Sequence, residues 1–322
     1  MKKTLIPQLA AIALIAACSM AQAQTTPTKI QILVPFSPGG PIDFSARVLA
    51  DKLRTQLSIP VVVENRPGGN GVIAALAVKQ ALGNGETLLM ASSGMLTISP
   101  HLDKNLKYDP IKDFAAVSAV AYSDVAFVVN PVVPVNSLKE FVANAKTIKP
   151  QYSIGSAGKG NITHGYIELF KDSAKIDLLH VPYKGASLAL SDVLGGTING
   201  TFVGLSAAIP HIKSGKLKAL GLVGNDRSVA MPEIPTFTEQ GYKGVDFITW
   251  SGLLAPKSTS KETLAFLQKA IATALAQDDV KARLITGGSA PYVVAGDAFE
   301  KAIIVESAKW AKLIKEKNIE GE

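Results

Sequence analysis

Residues 30–43 read IQILVPFSPGGPID and join a strand pattern to a glycine-rich turn and the start of a helix. The apolar run Ile30–Val34 predicts a buried strand, and the prolines and glycines that follow it mark a turn. Apolar side chains then recur at helical spacing from Ala46 to Leu57. A strand, a tight turn and a helix in this order are typical of α/β proteins.

The same pattern recurs along the chain and predicts an α/β fold. Short apolar runs predict further strands at 61–63, 87–91, 125–129, 152–154, 178–181, 201–205 and 218–223. Helical spacing predicts helices at 73–82, 186–194 and in the stretch that leads to Phe170. Ser137 with Glu140, and Thr259 with Glu262, have the spacing of a capping box and predict two helix starts.

The first 23 residues have the pattern of an export signal. Lys2 and Lys3 precede a short apolar core, and Ala21-Gln22-Ala23 predicts cleavage before Gln24. The core has about half of the roughly 20 residues that a membrane span needs. The sequence therefore predicts a periplasmic protein, with a lipoprotein anchored through Cys18 as the alternative.

Composition narrows the classes of partner. About 299 residues remain after cleavage, enough for two domains of about 100–200 residues each. The net charge of +7 falls to +5 without Lys2 and Lys3, which favours small anions. The basic residues are scattered and are not interleaved with aromatic side chains, so we expect no nucleic acid partner. Because Cys18 is the only cysteine, the mature chain has no disulfide.

Catalytic signatures are sparse. His101, His164, His180 and His211 lie far apart in sequence, and no pair has the i, i+4 spacing of a helical zinc site. We interpret them as structural, with His164 of interest because it follows a glycine-rich turn. The segment 155–160 lacks the G-x-S-x-G, dinucleotide and phosphate-loop patterns. We expect no enzyme, no metal and no cofactor; a secreted hydrolase that uses Ser156 stays the alternative, and it requires a histidine and an acid nearby.

Two glycine-rich turns, at 36–43 and 155–161, each follow a predicted strand and open a predicted helix. The first N–H groups of a helix have no internal partner, the helix dipole adds positive charge there, and glycine lets a ligand approach the backbone. Such a turn binds carboxylate or phosphate without Arg or Lys. Asp43 in the first turn either stabilises the helix or accepts a hydrogen bond from the ligand, and both interpretations stay open.

With these turns identified, the chain resembles the Bug (TctC-like) family of extracytoplasmic solute receptors of tripartite tricarboxylate transport systems. The resemblance covers nearly the whole mature chain. It rests on an ordered series of motifs, namely VPFSPGG at 34–40, VENRPG at 63–68, YDP at 108–110, KDF at 112–114, GSAGKG at 155–160, VPYKG at 181–185, PHIKSGK at 210–216, PEIPT at 232–236 and GLLAP at 252–256.

The resemblance implies a type II periplasmic-binding-protein fold, with two α/β lobes and a ligand cleft between them. We assign residues 24–125 and 250–322 to lobe 1 and residues 126–249 to lobe 2. It also implies a monomer that binds a small carboxylate, such as a dicarboxylate, tricarboxylate, acidic amino acid or aromatic acid. The membrane components of a tripartite tricarboxylate transporter would be its partners; a sensor that signals to a membrane receptor is the alternative.

The family pattern also implies which residues line the cleft. These are Phe36, Ser37, Gly39, Gly40, Asp43, Ser92, Ser93 and Gly94 in lobe 1, and Ser156, Ala157, Gly158, Gly160 and Asn161 in lobe 2. Three positions depart from the family: Asn161 replaces Ser or Thr, residues 67–71 read PGGNG in place of PGAGG, and Gly204 stands where many members have a polar side chain. Gly204 puts the contact to the distal end of the ligand in doubt.

Overall fold

The structure is a computed structural model, and it describes residues 26–159, 161–316 and 319. The predicted signal peptide at 1–23, the alternative lipid site Cys18 and the predicted site residue Gly160 lie outside the described residues. Within the described part of the chain, no helix is both long and apolar enough to cross a bilayer.

The described chain contains eleven strands, which we number in chain order. Their bounds are β1 (Ile30–Val34), β2 (Val61–Asn65), β3 (Thr87–Ser92), β4 (Phe114–Ser123), β5 (Val125–Val129), β6 (Ser153–Ser156), β7 (Leu179–Pro182), β8 (Gly200–Gly204), β9 (Lys218–Leu222), β10 (Thr249–Pro256) and β11 (Ser289–Pro291).

Eleven α-helices of the described residues connect these strands. Their bounds are α1 (Pro41–Leu57), α2 (Val72–Lys79), α3 (Ser93–Thr97), α4 (Ser99–Leu102), α5 (Leu138–Ala145), α6 (Ile162–Ala174), α7 (Ala186–Leu194), α8 (Leu205–Lys213), α9 (Lys261–Leu275), α10 (Asp278–Thr286) and α11 (Gly296–Glu316). A short 3-10 turn, Gly69–Gly71, precedes α2.

The first sheet has six strands in the order β11-β4-β10-β3-β1-β2. Strand β1 runs parallel to β2 and β3, whereas β10 is antiparallel to β3 and β4. Val34, Asn65 and Ser92 therefore end their strands at one edge of the sheet. Apolar side chains cover both faces, because α1 and α9 pack on one side and α2, α3 and the start of α11 pack on the other.

The second sheet has five strands in the order β7-β6-β8-β5-β9. Its core contains a cluster of fully buried phenylalanine rings, most of them in edge-to-face contact, namely Phe127, Phe141, Phe170, Phe202 and Phe237. Burial of side chains this large supplies much of the stability of a lobe. This sheet places the end of β6, at Ser156, and the end of β8, at Gly204, at the same edge.

The chain crosses from the first sheet to the second with almost no linker. Strand β4 ends at Ser123 and β5 begins at Val125, so Asp124 alone separates them. The chain returns after β9 and enters the first sheet again in β10, which pairs Thr249 with Ser123. The two sheets are thus joined end to end by the crossing segments, with the carboxyl ends of β1, β3, β6 and β8 directed at one interface.

Helix α11 packs against both sheets. Phe299 and Ile303 in its first half belong to the core of the first sheet, whereas Trp310 and Ile314 belong to the core of the second. The indole of Trp310 lies against Gly165 so closely that a Cβ at Gly165 would lie 2.7 Å from its Cη2 atom. The helix therefore ties α6 of the second lobe to the first lobe.

Most predicted elements form within a few residues of the predicted bounds, but one helix start differs. Ser137 caps α5 as predicted, with its Oγ accepting from the N–H of Glu140. The predicted capping box at Thr259 is wrong: Ser260 caps α9 by accepting from the N–H of Thr263, and the hydroxyl of Thr259 is buried without a partner in the described structure. Ser260, the residue after the predicted cap, has the extended backbone conformation that an N-cap requires.

The contact of Trp310 with the second-lobe core predicts a large effect on stability. Trp310→Ala should lower the free energy of unfolding by about 3–5 kcal/mol, because it empties a fully buried indole site. Urea denaturation of the mature protein measures this change. Exposed Lys309 is the matched control, and Lys309→Ala should stay within about 0.5 kcal/mol of the wild type. A loss below about 1 kcal/mol for Trp310→Ala would contradict the packing described here.

Candidate ligand-binding site

The first turn is held in shape by the carboxylate of Asp43. This side chain is buried, and it accepts from the N–H of Gly39 at 2.9 Å, from Nε of Arg47 at 3.0 Å and from Nδ2 of Asn65 at 2.8 Å. Nδ2 of Asn65 also donates to the carbonyl of Phe36 at 3.0 Å. The carboxylate of Asp43 is therefore occupied within lobe 1, which favours its helix-stabilising interpretation over a direct contact with ligand.

The ionisation of Asp43 follows from this surrounding. Burial alone would raise the pKa of this carboxyl group, but hydrogen bonds from Arg47, Gly39 and Asn65, together with the charge of Arg47, outweigh burial. The pKa of Asp43 consequently lies below its ordinary value. The group is charged at neutral pH and holds the turn through charge-assisted hydrogen bonds, which are stronger than neutral ones.

The space in front of the first turn is open. Gly39 has φ +87°, a conformation that favours glycine, and a Cβ at this position would meet no atom within 4 Å. Gly40 occupies the N-cap position of α1, but it has no side chain that could accept a hydrogen bond from the first amides of the helix. Since Pro41 has no N–H, the amides of Ile42 and Asp43 are the first donors of α1, and neither has a carbonyl partner within the helix.

The second turn is held by hydroxyl groups. Ser156 is fully buried, and its Oγ accepts from the N–H of Gly158 at 3.2 Å and donates to the carbonyl of Gly158 at 3.1 Å. The N–H of Ala157 donates to Oγ1 of Thr163 at 2.8 Å. The amides of Ala157 and Gly158 are therefore already bonded inside the turn, whereas the sequence interpretation had assigned them to the ligand.

Asn161 caps α6 and still has a free donor. Its Oδ1 accepts from the N–H of Thr163 at 3.1 Å, as expected of an N-cap. Within the described residues, its Nδ2 has no partner. The replacement of the usual hydroxyl by Asn161 thus preserves the cap and adds an amide donor beside the N–H of Ile162, the first amide of the helix.

The two lobes touch where these turns lie. A Cβ at Gly204 would lie 3.0 Å from Cγ of Pro41, and a Cβ at Gly94 would lie 3.9 Å from the amide nitrogen of Ile162. The N-termini of α1 and α6 therefore both lie at the interface between the lobes. The close approach of Pro41 also explains Gly204, because a side chain at that position would collide with lobe 1 in this arrangement.

The segment after β3 contributes hydroxyl groups to the same interface. Ser92 caps α3 by accepting from the N–H of Met95 at 3.3 Å. Ser93 is fully buried, and its Oγ has no hydrogen-bond partner in the described part of the structure. A buried hydroxyl without a partner is costly and is usually satisfied by water or a ligand, so Ser93 can take a further hydrogen bond, and its place in the cleft stays a prediction.

Two histidines next to the second turn, His164 and His180, form a pair that the sequence analysis did not predict. The rings of His164 and His180 stack with centroids 4.0 Å apart and planes 9° apart, and Nε2 of His180 lies 2.6 Å from Oγ of Ser156. Burial, together with the charge of nearby lysines, lowers the pKa of each imidazole to about 4. The only available signal was the pairing of β6 with β7, which brings His180 opposite Ile154 and so onto the same face as Ser156.

A small cavity of about 180 Å³ lies away from these turns, where the chain crosses between the sheets. Its lining includes Asp124 and Asp226 together with Tyr122 and Tyr292, and it includes no basic side chain. Burial raises the pKa of Asp124. Two acidic groups without a counter-charge repel a carboxylate, so this cavity is a poor candidate for the anion site. No group of three potential metal ligands occurs in the described residues.

Comparison with known proteins finds close relatives. Residues 45–319 match the family described as the tripartite tricarboxylate transporter family receptor. The chain is 33% identical to Protein BugT of Bordetella pertussis over 91% of each chain. It resembles the structure of periplasmic binding protein BugD, with 30% identity, a TM-score of 0.83 and coverage of 91% of this chain and 99% of that one.

A further solved structure contains a ligand. The Rhodopseudomonas palustris protein Rpa4515, solved with adipate, is 27% identical, has a TM-score of 0.86, and is covered over 92% of this chain and 99% of its own. Together these matches confirm the predicted α/β fold of a periplasmic binding protein with two lobes. They also confirm the family resemblance that the motifs indicate.

The network around Asp43 predicts a stability effect that depends on pH. A carboxyl whose pKa is lowered in the folded state adds stability above its unfolded pKa of about 3.9, and this stability is lost as pH falls through the lower folded value. Asp43→Asn should therefore cost about 1–3 kcal/mol at pH 7 and much less at about pH 3. Urea denaturation at both pH values measures this. Asp51→Asn, at an exposed ion pair of the same helix, is the control and should change stability by at most about 0.5 kcal/mol. An equal cost at both pH values for Asp43→Asn would contradict the account.

Proposed function

Because the chain belongs to the tripartite tricarboxylate transporter receptor family, whose members are periplasmic solute-binding proteins and not enzymes, we propose that it captures a small dicarboxylate between its two lobes. The observation that carries the proposal is the position of the N-termini of α1 and α6, on opposite sides of the lobe interface. Each terminus directs backbone donors at the space where an anionic head group would bind.

The proposed donors differ between the lobes. In lobe 1 they are the amides that begin α1, with Gly39 giving access to the backbone and the hydroxyl of Ser93 completing the wall. In lobe 2 they are the N–H of Ile162 and Nδ2 of Asn161. Ser156, Ala157 and Gly158 support the ligand indirectly, because their own hydrogen bonds fix the turn.

A ligand with two carboxylates suits this arrangement better than one with a single carboxylate. There are two donor clusters, one in each lobe, and a dicarboxylate can engage both at once. The related Rpa4515 structure, which contains adipate, supports this ligand class. A ligand that contacts both lobes binds the closed state more tightly and so favours closure.

The proposal extends to the partners and to export. We infer that the closed protein delivers its ligand to the membrane components of a tripartite tricarboxylate transporter. Its periplasmic location follows from its family, and we propose export through a signal peptide at 1–23. The lobes in this proposal are residues 24–125 with 250–322, and 126–249, and the end of α11 packs onto the second lobe.

Ligand binding should stabilise the mature protein. A ligand at 100 times its Kd adds about 2.7 kcal/mol to the free energy of unfolding. In a thermal-shift assay we expect adipate or the shorter succinate to raise the melting temperature measurably. Hexanoate, which has the chain length of adipate and only one carboxylate, is the control and should give a much smaller shift. Equal shifts with adipate and hexanoate would rule out recognition of two carboxylates.

Blocking the first turn should abolish binding without unfolding the protein. In Gly39→Val the new side chain would project into the open space in front of the turn, and calorimetry should show at least about a tenfold loss of adipate affinity, or about 1.4 kcal/mol. Gly241→Val is the matched control, because Gly241 has φ +89°, is exposed and also has no atom within 4 Å of its Cβ position. Both variants incur similar backbone strain, so the turn is not the site if both bind adipate equally well.

A further inference from the structure

The stacked imidazoles of His164 and His180 contact the second turn through Ser156. His164 is in the first turn of α6, and His180 is in β7, the edge strand beside β6. Nε2 of His180 is 2.6 Å from Oγ of Ser156, whose other hydrogen bonds fix the N–H and carbonyl of Gly158. A single hydroxyl thus connects the histidine pair to the turn.

The hydrogen bonds around Ser156 are compatible with a protonated His180. The hydroxyl accepts from the N–H of Gly158 and can donate to its carbonyl, so one acceptor position remains for an N–H of His180. An imidazolium carries a hydrogen on each ring nitrogen, so Nε2 of protonated His180 donates to Oγ of Ser156 across the 2.6 Å contact. Protonation therefore keeps His180 bonded to Ser156, and hence to the turn.

Burial is the main reason that the pair is neutral in the absence of ligand. The ammonium groups of Lys159 and Lys171 also disfavour protonation of both rings, and His164 opposes protonation of His180. Glu168 favours it, with Oε1 3.9 Å from Nε2 of His164, but this carboxylate also pairs with Lys171 at 3.1 Å. With pKa values lowered to about 4, both rings are neutral at pH 7.

We propose that the His164–His180 pair takes up one proton when a dicarboxylate binds at the second turn, and so adds a positive charge to that of Lys159 in the turn. This inference rests on the proposed function. A nearby anionic group raises the pKa of an imidazole, so a carboxylate bound at the second turn favours protonation of this pair. The second ring stays neutral, because two adjacent positive charges repel each other.

Proton uptake makes affinity depend on pH in a defined direction. Because the free protein has the lower pKa and the complex the higher one, affinity rises as pH falls through the pKa of the complex. The rise is at most about tenfold per pH unit when one proton is taken up. The effect ends near pH 4, where the free pair is itself protonated.

Calorimetric titration with adipate at about pH 6, in buffers of different ionisation enthalpy, measures the protons exchanged on binding. Adipate releases the same number of its own protons with every variant, so a difference in proton exchange between two variants comes from the protein. The double variant His164→Gln/His180→Gln keeps an amide that can donate to Ser156 but has no titrating ring in the pair, and it should take up fewer protons than the wild type. His211→Gln, at the far end of α8, is the control and should match the wild type.

The outcomes separate this inference from the proposed function. Greater uptake in the wild type and His211→Gln than in His164→Gln/His180→Gln supports the inference. Equal uptake in all three proteins overturns it, as does a wild-type affinity for adipate that falls with decreasing pH as steeply as the acid's own titration alone requires, a result that needs no variant. Absence of binding of both adipate and succinate at every pH overturns the proposed function instead, and this inference with it.

Discussion

The direct passage from β4 to β5 through Asp124 is the constraint on which the remaining architecture depends. A strand that continues from one sheet into the next joins the two sheets end to end. Since β1 and β3 run parallel in the first sheet, and β6 and β8 run parallel in the second, their carboxyl ends meet at one interface. Ligands of open α/β sheets bind at the carboxyl ends of the strands, and here those ends of the two sheets face each other.

Buried polar side chains then fix the two turns by different means. Asp43 uses a charge and bonds to Gly39 and Asn65, whereas Ser156 and Thr163 use neutral hydroxyls that bond to Gly158 and Ala157. In both turns the glycine-rich backbone is ordered before any ligand arrives. A preorganised site loses less conformational entropy on binding, which suits a receptor that must capture a dilute solute.

How much of this could be predicted depended on how local the signal was. Ile30–Val34, Val125–Val129 and Ala186–Leu194 form as their patterns predict, since each pattern lies within the element. Strands β4 and β10 gave no alternating signal, because they are buried on both faces. The stacking of His164 on His180 and the dual packing of α11 required tertiary contacts. The motifs located both turns, but only the side-chain hydrogen bonds distinguish amides used inside a turn from those left for a ligand.

A crystal structure of the mature protein grown with saturating adipate tests the central claim most directly. The account predicts one carboxylate within hydrogen-bond distance of the amides that begin α1 and the other at Asn161 and Ile162, with the lobes closed around the chain between them. Adipate bound at the cavity beside Asp124, or held by one lobe alone with the N-termini of α1 and α6 far apart, would contradict it.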